Sequence, residues 1–299
     1  MANVWVFPGQ GSQSIGMGRD LADHPDAKAR LAAAEEILAW SVLEVSQRED
    51  DTVSQTRYTQ PCLYIIETIL ADLLRASETP NFVAGHSLGE YSALYAARAF
   101  DFESGLRLVQ QRADIMSQVA DGGMAAIIGA DREQLNDLLA QTGDVVLAND
   151  NSSAQVVISG RKDSVDQVLA SLKAKRKVPL NVSGAFHSPL MQTASQQFQD
   201  ALDAVSFQDT EVPVLSNTDP TPETAAAALK SRLSRQMTGT VRWRETMAQF
   251  AALEITQATE VGPGKVLTGL MKRACSGVTL NNVSSLADLP ANLPADVQG

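Results

Sequence analysis

The chain has 299 residues, 44% of them hydrophobic, and carries 24 basic and 35 acidic side chains for a formal net charge of −11. That length holds a large core or two domains, the apolar content excludes extended disorder, and the acidity argues against nonspecific nucleic acid or anionic membrane as partners. Cys62 and Cys275 are too few for a disulfide framework or a zinc site, residues 1–7 lack the basic start and length of a signal peptide, and no apolar run nears the ~20 residues of a membrane span, so a cytoplasmic protein is expected.

Residues 4–7 read as a buried strand ending in Pro8-Gly9-Gln10-Gly11-Ser12-Gln13. This loop is either a plain turn or, after the first strand of an α/β sheet, a substrate or oxyanion loop with exposed N–H groups. Residues 20–39 are predicted helical. Tyr58-Thr59-Gln60-Pro61 opens the next helix with proline in its first turn, Leu63, Ile66, Leu70 and Leu73 mark its core face, and Thr79-Pro80 ends it.

The apolar run Phe82-Val83-Ala84 then enters Gly85-His86-Ser87-Leu88-Gly89-Glu90, and an alanine-rich helix follows over residues 91–97. The spacing is that of a nucleophile elbow, a sharp strand-to-helix turn with serine at its apex. Gly85 and Gly89 stand where a Cβ would crowd the turn, and the free N–H groups of the helix start face the serine oxygen. The bland alternative is an ordinary turn that needs small residues.

A helix over residues 103–119 carries Val109, Arg112 and Met116 on one stripe. An arginine there is either a structural ion pair or snorkelling side chain, or the lining of a pocket that takes an anion. Asp121-Gly122-Gly123 breaks the pattern. Strand 124–128, a helix capped by Asp131 with Gln134 and running to 140, strands 145–148 and 156–159, helix 163–173 and strand 178–182 then give β-α-β-β-α-β, the ferredoxin-like order. Lys173-Ala174-Lys175-Arg176-Lys177 is a solvated helix end or, less simply, a docking patch for an acidic partner.

After Gly184-Ala185-Phe186-His187-Ser188-Pro189 the chain returns to the larger unit. Leu190, Ala194, Phe198 and Leu202 form a helical stripe. Strand 212–216, helices from 221 to 234 and over 243–253, strand 255–261, helix 265–273 and strand 278–283 follow, and the tail beyond Ser284, with Pro290 and Pro294, is expected to fray. The expected fold class is α/β: an α/β-hydrolase-like core, residues 1–121 and 188–299, with an inserted ferredoxin-like small domain, residues 122–187.

A serine hydroxyl needs a base, and histidine titrates nearest neutrality. Of the three histidines, His24 lies in a surface-like Asp-His-Pro loop, and His86 beside the serine should point away from it. His187, in a turn where the two units meet, is the base by elimination. No acidic residue declares itself as a third member, and the order differs from that of an ordinary α/β-hydrolase, which places the acid before a late histidine.

Five stretches occur in register: Phe7-Pro8-Gly9-Gln10-Gly11-Ser12-Gln13, Gly85-His86-Ser87-Leu88-Gly89-Glu90, Gln111-Arg112, Gly184-Ala185-Phe186-His187-Ser188 and Glu260-Val261-Gly262-Pro263-Gly264-Lys265-Val266-Leu267. Together they resemble the malonyl-CoA:acyl carrier protein transacylases of fatty acid synthesis, from the first strand to about Arg273. The resemblance implies ping-pong transfer. Ser87 takes the malonyl group from malonyl-CoA with His187 as base and passes it to the phosphopantetheine thiol of holo acyl carrier protein. It also implies an oxyanion hole from the Gln10 and Leu88 N–H groups, Arg112 on the malonyl carboxylate, and a main-chain carbonyl of Gln236 orienting His187. Phe186 resembles the malonyl-selective members of related polyketide acyltransferases, and Arg242 stands where several relatives carry glutamine. The expectation has no permanently bound cofactor, no metal, no nucleic acid or membrane partner, and a monomer. The alternatives are malonyl loading of a polyketide or malonate-decarboxylase carrier, a serine hydrolase, and a non-catalytic docking subunit.

Overall fold

A computed structural model describes residues 1–120, 122–182 and 184–290. The first segment contains β1 (Ala2–Phe7), α1 (Pro25–Leu38), α2 (Val42–Gln47), α3 (Thr56–Arg75), β2 (Phe82–Gly85), α4 (Gly89–Ala96) and α5 (Phe102–Ser117). The middle segment contains β3 (Gly122–Ile128), α6 (Arg132–Thr142), β4 (Val145–Asp150), β5 (Gln155–Arg161), α7 (Lys162–Ser171) and β6 (Arg176–Pro179). The last contains α8 (Gln192–Ala204), β7 (Val214–Leu215), α9 (Ala226–Ser234), α10 (Trp243–Ala252), β8 (Ile255–Val261), α11 (Val266–Ala274) and β9 (Thr279–Val283).

The fold is mixed α/β with two separate sheets. The larger runs β7-β2-β1-β8-β9, and all its pairings are parallel. Both faces are covered, and β1 shows why. Its side chains alternate, so Trp5 and Phe7 enter one core cluster while Val4 and Val6 enter another on the opposite face. The smaller sheet runs β4-β5-β3-β6 and is antiparallel. Ala125 and Ile127 of β3 face a core shared with Leu135, Val165 and Val168 of α6 and α7. Met124, on the opposite face of β3, packs with Val157 against the large unit.

The chain leaves for the small sheet and returns from it side by side. A Cβ on Gly122 would lie 2.2 Å from the Ala185 nitrogen, so the outgoing and returning strands are in contact. Further ties cross the same seam: Asp150, buried and paired with Arg132 of its own unit at 2.5 Å, is also held by Arg244 of the large unit at 2.8 Å. Val241 donates its N–H to Ala148 and accepts from Asp150.

Some boundaries depart from expectation. Residues 20–39 are not one helix. A short 3-10 turn over Arg19–Asp23 ends at His24, and Pro25 restarts the chain as α1, because proline at the first helical position forgoes only an N–H that is unpaired anyway. Helix α2, capped by Ser41, had no strong periodic signal. Helix α3 begins at Thr56, so Pro61 lies beyond the first turn, where it cannot donate to the Arg57 carbonyl.

Strand β6 spans Arg176–Pro179 rather than 178–182, so the basic run is not a helix end. Its Lys177 instead donates to the Leu169 and Leu172 carbonyls at 2.6 and 3.1 Å, closing the end of α7. Leu190 is exposed and leaves the stripe that Ala194, Phe198 and Leu202 bury. The stretch after Ser284 is ordered by Asp288, which accepts from Ser284 and Ser285, and by Asp20, which accepts from the Leu286 N–H at 2.6 Å. The remaining tail, including Pro294, and Asp121 at the expected domain boundary lie outside the described residues.

Candidate active site

The elbow is built by interlocked glycines. A Cβ on Gly85 would sit 1.9 Å from the Gly89 carbonyl, one on Gly89 would sit 2.1 Å from the Phe7 oxygen, and one on Gly9 would sit 2.4 Å from the His86 oxygen. The first loop and the elbow therefore pack backbone to backbone, and no other residue fits at these three places. Ser87 at the apex has φ of 53°, in the left-handed region, and α4 starts two residues later with Leu88 as its N-cap. The N–H groups of Gln10 and Leu88 donate to no protein acceptor among the described residues.

His187 also takes a left-handed φ, 57°. Its Nδ1 faces two main-chain carbonyls, Gln236 at 2.9 Å and Gly239 at 3.2 Å. Both are acceptors only, so Nδ1 carries the proton and Nε2 is left bare. Ser87 Oγ donates to that Nε2 at 2.8 Å. Burial, then the nearby Arg112 cation, lower the His187 pKa from its ordinary 6.5 to about 3, so the imidazole is neutral and ready to accept. His86 points elsewhere: its Nε2 meets Asn151 Oδ1 at 2.8 Å and its ring packs edge-on against Trp243.

Arg112 is buried, 1% exposed. Nη1 donates to Gln60 Oε1 at 2.7 Å, and Nη2 donates to Ser87 Oγ at 3.1 Å and to Gln236 Oε1 at 3.0 Å. All three acceptors are neutral, and Nε has no partner among the described residues. Burial lowers the Arg112 pKa, yet arginine stays charged in proteins, so this is a buried cation without a bonded anion. The snorkelling alternative is therefore excluded.

Gln236 knits the parts together. Besides its carbonyl on His187, its Nε2 donates to the Ser87 carbonyl at 2.8 Å and to Glu90 Oε2 at 2.7 Å. Glu90 is buried, and desolvation raises its pKa against the pull of those bonds.

A cavity of about 220 Å³ opens over Ser87, Arg112 and His187. The large unit lines it with Gly9, Gln10, Gln60, Leu88 and Met116, the returning chain with Phe186, and the small sheet and the loop after β4 with Met124, Asn149, Asn151, Gln155 and Val157. The structure thus brings Ser87, Leu88, Arg112, His187 and Gln236 to one place, with the Gln10 loop against the elbow. Sequence reasoning missed Gln60, Glu90 as a tether, and Asn217, which contacts the elbow backbone. A glutamine beside Pro61 on a buried face was a signal for Gln60; Asn217, just past a short strand, offered none.

Against known proteins, residues 4–291 match the acyl transferase domain family. The chain is 54% identical to the malonyl CoA-acyl carrier protein transacylase of Synechocystis over 97% of its own length and 99% of that protein. The crystal structure of the Synechocystis enzyme aligns with a TM-score of 0.95 over 96% of this chain and 99% of that one. A polyketide biosynthesis malonyl CoA-acyl carrier protein transacylase of Bacillus subtilis is 41% identical over 90% of this chain and 96% of its own. A malonyl-transacylase solved in complex with a type II PKS acyl-carrier protein aligns with a TM-score of 0.91 at 34% identity, over 98% of this chain and 99% of that one.

Proposed function

The chain belongs to the acyl transferase domain family, and from that premise we propose that it moves malonyl from malonyl-CoA to the phosphopantetheine thiol of holo acyl carrier protein in fatty acid synthesis. The observation that carries the reading is the pairing of a serine–histidine dyad with a buried arginine whose bonded partners are all neutral.

In the first half-reaction Ser87 Oγ attacks the thioester carbon while its proton passes to His187 Nε2. The carbonyl oxygen becomes an oxyanion between the Gln10 and Leu88 N–H groups. Collapse breaks the C–S bond, and the CoA sulfur leaves with the proton from His187. The second half-reaction reverses these steps: the carrier thiol gives its proton to His187, attacks the malonyl ester and frees Ser87. The carbonyl of Gln236 keeps the Nδ1–H tautomer throughout. Arg112 takes the malonyl carboxylate, a stronger acceptor than the hydroxyl and amides it now contacts. Phe186 on the cavity wall opposes a branched acyl group.

The division into a large unit, residues 1–121 and 188–299, and a small one, residues 122–187, is part of this reading, as are an α/β-hydrolase-like core and a ferredoxin-like insert. The small sheet's order and antiparallel pairing support the latter. A cytoplasmic location and a monomeric state are also part of this reading; no helix among the described residues is long and apolar enough to cross a membrane, and both cysteines are free. A serine hydrolase fits poorly, because a carbonyl stands where an acid would be and a cation occupies the acyl pocket.

The test is intact-protein mass after brief mixing with malonyl-CoA, beside Ser87→Ala. One malonyl group is expected on the wild type and none on the variant, with discharge on adding holo carrier protein. Discharge by water as fast as by carrier would overturn transfer. Comparing fatty acid, polyketide and malonate-decarboxylase carriers in the same assay identifies the physiological acceptor.

A further inference from the structure

Strand β7 pairs with β2 only through Val83 with Val214 and Ala84 with Leu215. The chain then turns away before it reaches the elbow. Asn217, two residues past the end of β7 and 1% exposed, continues the ladder with its side chain. Its Nδ2 donates to the Gly85 carbonyl at 2.5 Å, and its Oδ1 accepts from the Ser87 N–H at 2.7 Å. One carboxamide thus offers a donor and an acceptor to the two main-chain groups that flank His86, as a peptide of a neighbouring strand does. The residue is itself held. Its N–H donates to Glu90 Oε2 at 3.2 Å, and its carbonyl accepts from the Arg242 N–H at 3.0 Å.

Two consequences bear on the chemistry. A left-handed φ at a non-glycine residue persists only where the surroundings over-determine it, and Asn217 bonds both sides of that turn. The Ser87 N–H is also consumed by Asn217, whereas those of Leu88 and Gln10 have no protein acceptor among the described residues.

We propose that Asn217 is a positioning residue for acyl transfer. Its carboxamide fixes the Ser87 peptide so that Oγ stands between His187 and Arg112, and it withdraws the Ser87 N–H so that the oxyanion falls to Leu88 and Gln10. The assignment rests on the acyl-transfer reading above.

The experiment compares Asn217→Ala, which removes both bonds, with Asn217→Asp. The aspartate keeps the volume and the acceptor but sets an oxygen against the Gly85 carbonyl. Rapid-quench acylation by malonyl-CoA is measured per titrated active site, with KM, the malonyl-to-acetyl preference and the melting temperature. Acylation is expected to fall on the order of 100-fold in Asn217→Ala and less in Asn217→Asp, the cost of a small misplacement of the nucleophile. KM and acyl preference should hold, because Arg112 is untouched. If Asn217→Ala does not fold, the isosteric Asn217→Asp carries the same comparison. Variants that melt lower yet acylate each active site at the wild-type rate, or that raise KM alone, would overturn the assignment. A wild-type enzyme that forms no malonyl-serine would overturn the acyl-transfer reading instead.

Discussion

Around the cavity, the parallel-sheet region supplies Ser87, Arg112 and the two histidines, while the antiparallel sheet and the loop after β4 supply Met124, Ala126, Asn149, Asn151, Gln155 and Val157, none of which titrates. The first region is locked by glycines whose absent side chains let backbones touch, and by a buried polar network through Gln236 and Glu90. The second is joined to it by a paired crossing and a few polar ties. The difference separates the fixed atoms that react with the acyl group and hold it from the wall that bounds the space around it. His187 lies on the seam: it belongs chemically to the first region but is delivered by the chain returning from the second.

The sharpest way to break this division is Arg112→Ala. A malonyl carboxylate left buried without its cation should cost on the order of 3–5 kcal/mol in malonyl transfer, with acetyl transfer far less affected. Acylation kinetics with both thioesters check it. An equal loss for both would make Arg112 part of the scaffold and not the holder of the acyl carboxylate.

The next effect tests the burial of the seam. Since the His187 pKa is lowered to about 3 from 6.5, the folded base stays neutral through the pH range in which a solvated histidine protonates. Acylation should therefore hold nearly constant as pH falls from 7 to 5. A decline with a midpoint near 6.5 would place the ring in water. Stability moves oppositely to this constancy. Below 6.5 the unfolded chain takes up a proton that the folded site refuses, so this residue's contribution falls as pH drops toward about 3. Denaturant melts across that window measure the slope.

The smallest effect concerns the outer face of the small unit. Lys175→Glu with Arg176→Glu should raise the apparent KM for the carrier several-fold while leaving acylation by malonyl-CoA unchanged, since both side chains are exposed, one just before and one at the start of the strand that leads to the cavity wall. Lys177 is left intact because it closes α7. Unchanged carrier kinetics would assign the basic run to solvation alone.

The elbow was legible because its grammar is local: strand, two spaced glycines, apical serine, helix. Arg112 stood out because a charge on an apolar stripe asks for a partner, and His187 because only three histidines competed. Gln236 entered through a family resemblance alone, since what it offers His187 is a carbonyl that every residue possesses. Asn217 was silent, and Gln60 gave only the faint signal of a buried glutamine beside Pro61, because an amide's role depends on partners distant in sequence. The misplaced start of β6 has a similar origin. Its lysine and arginine read as a helix end, while the edge position that tolerates them is a tertiary fact.

The orienting contact on His187 has a consequence for heredity. Because the acceptor is the main-chain oxygen of residue 236, no codon change can delete it. A mutational scan at this position would instead report the loss of the amide's bonds to Arg112, Ser87 and Glu90. To weaken the acceptor itself, synthesis must replace the following peptide N–H by an ester oxygen, which leaves every side chain in place. Selection can shift this part of the enzyme only by reshaping the chain that carries it.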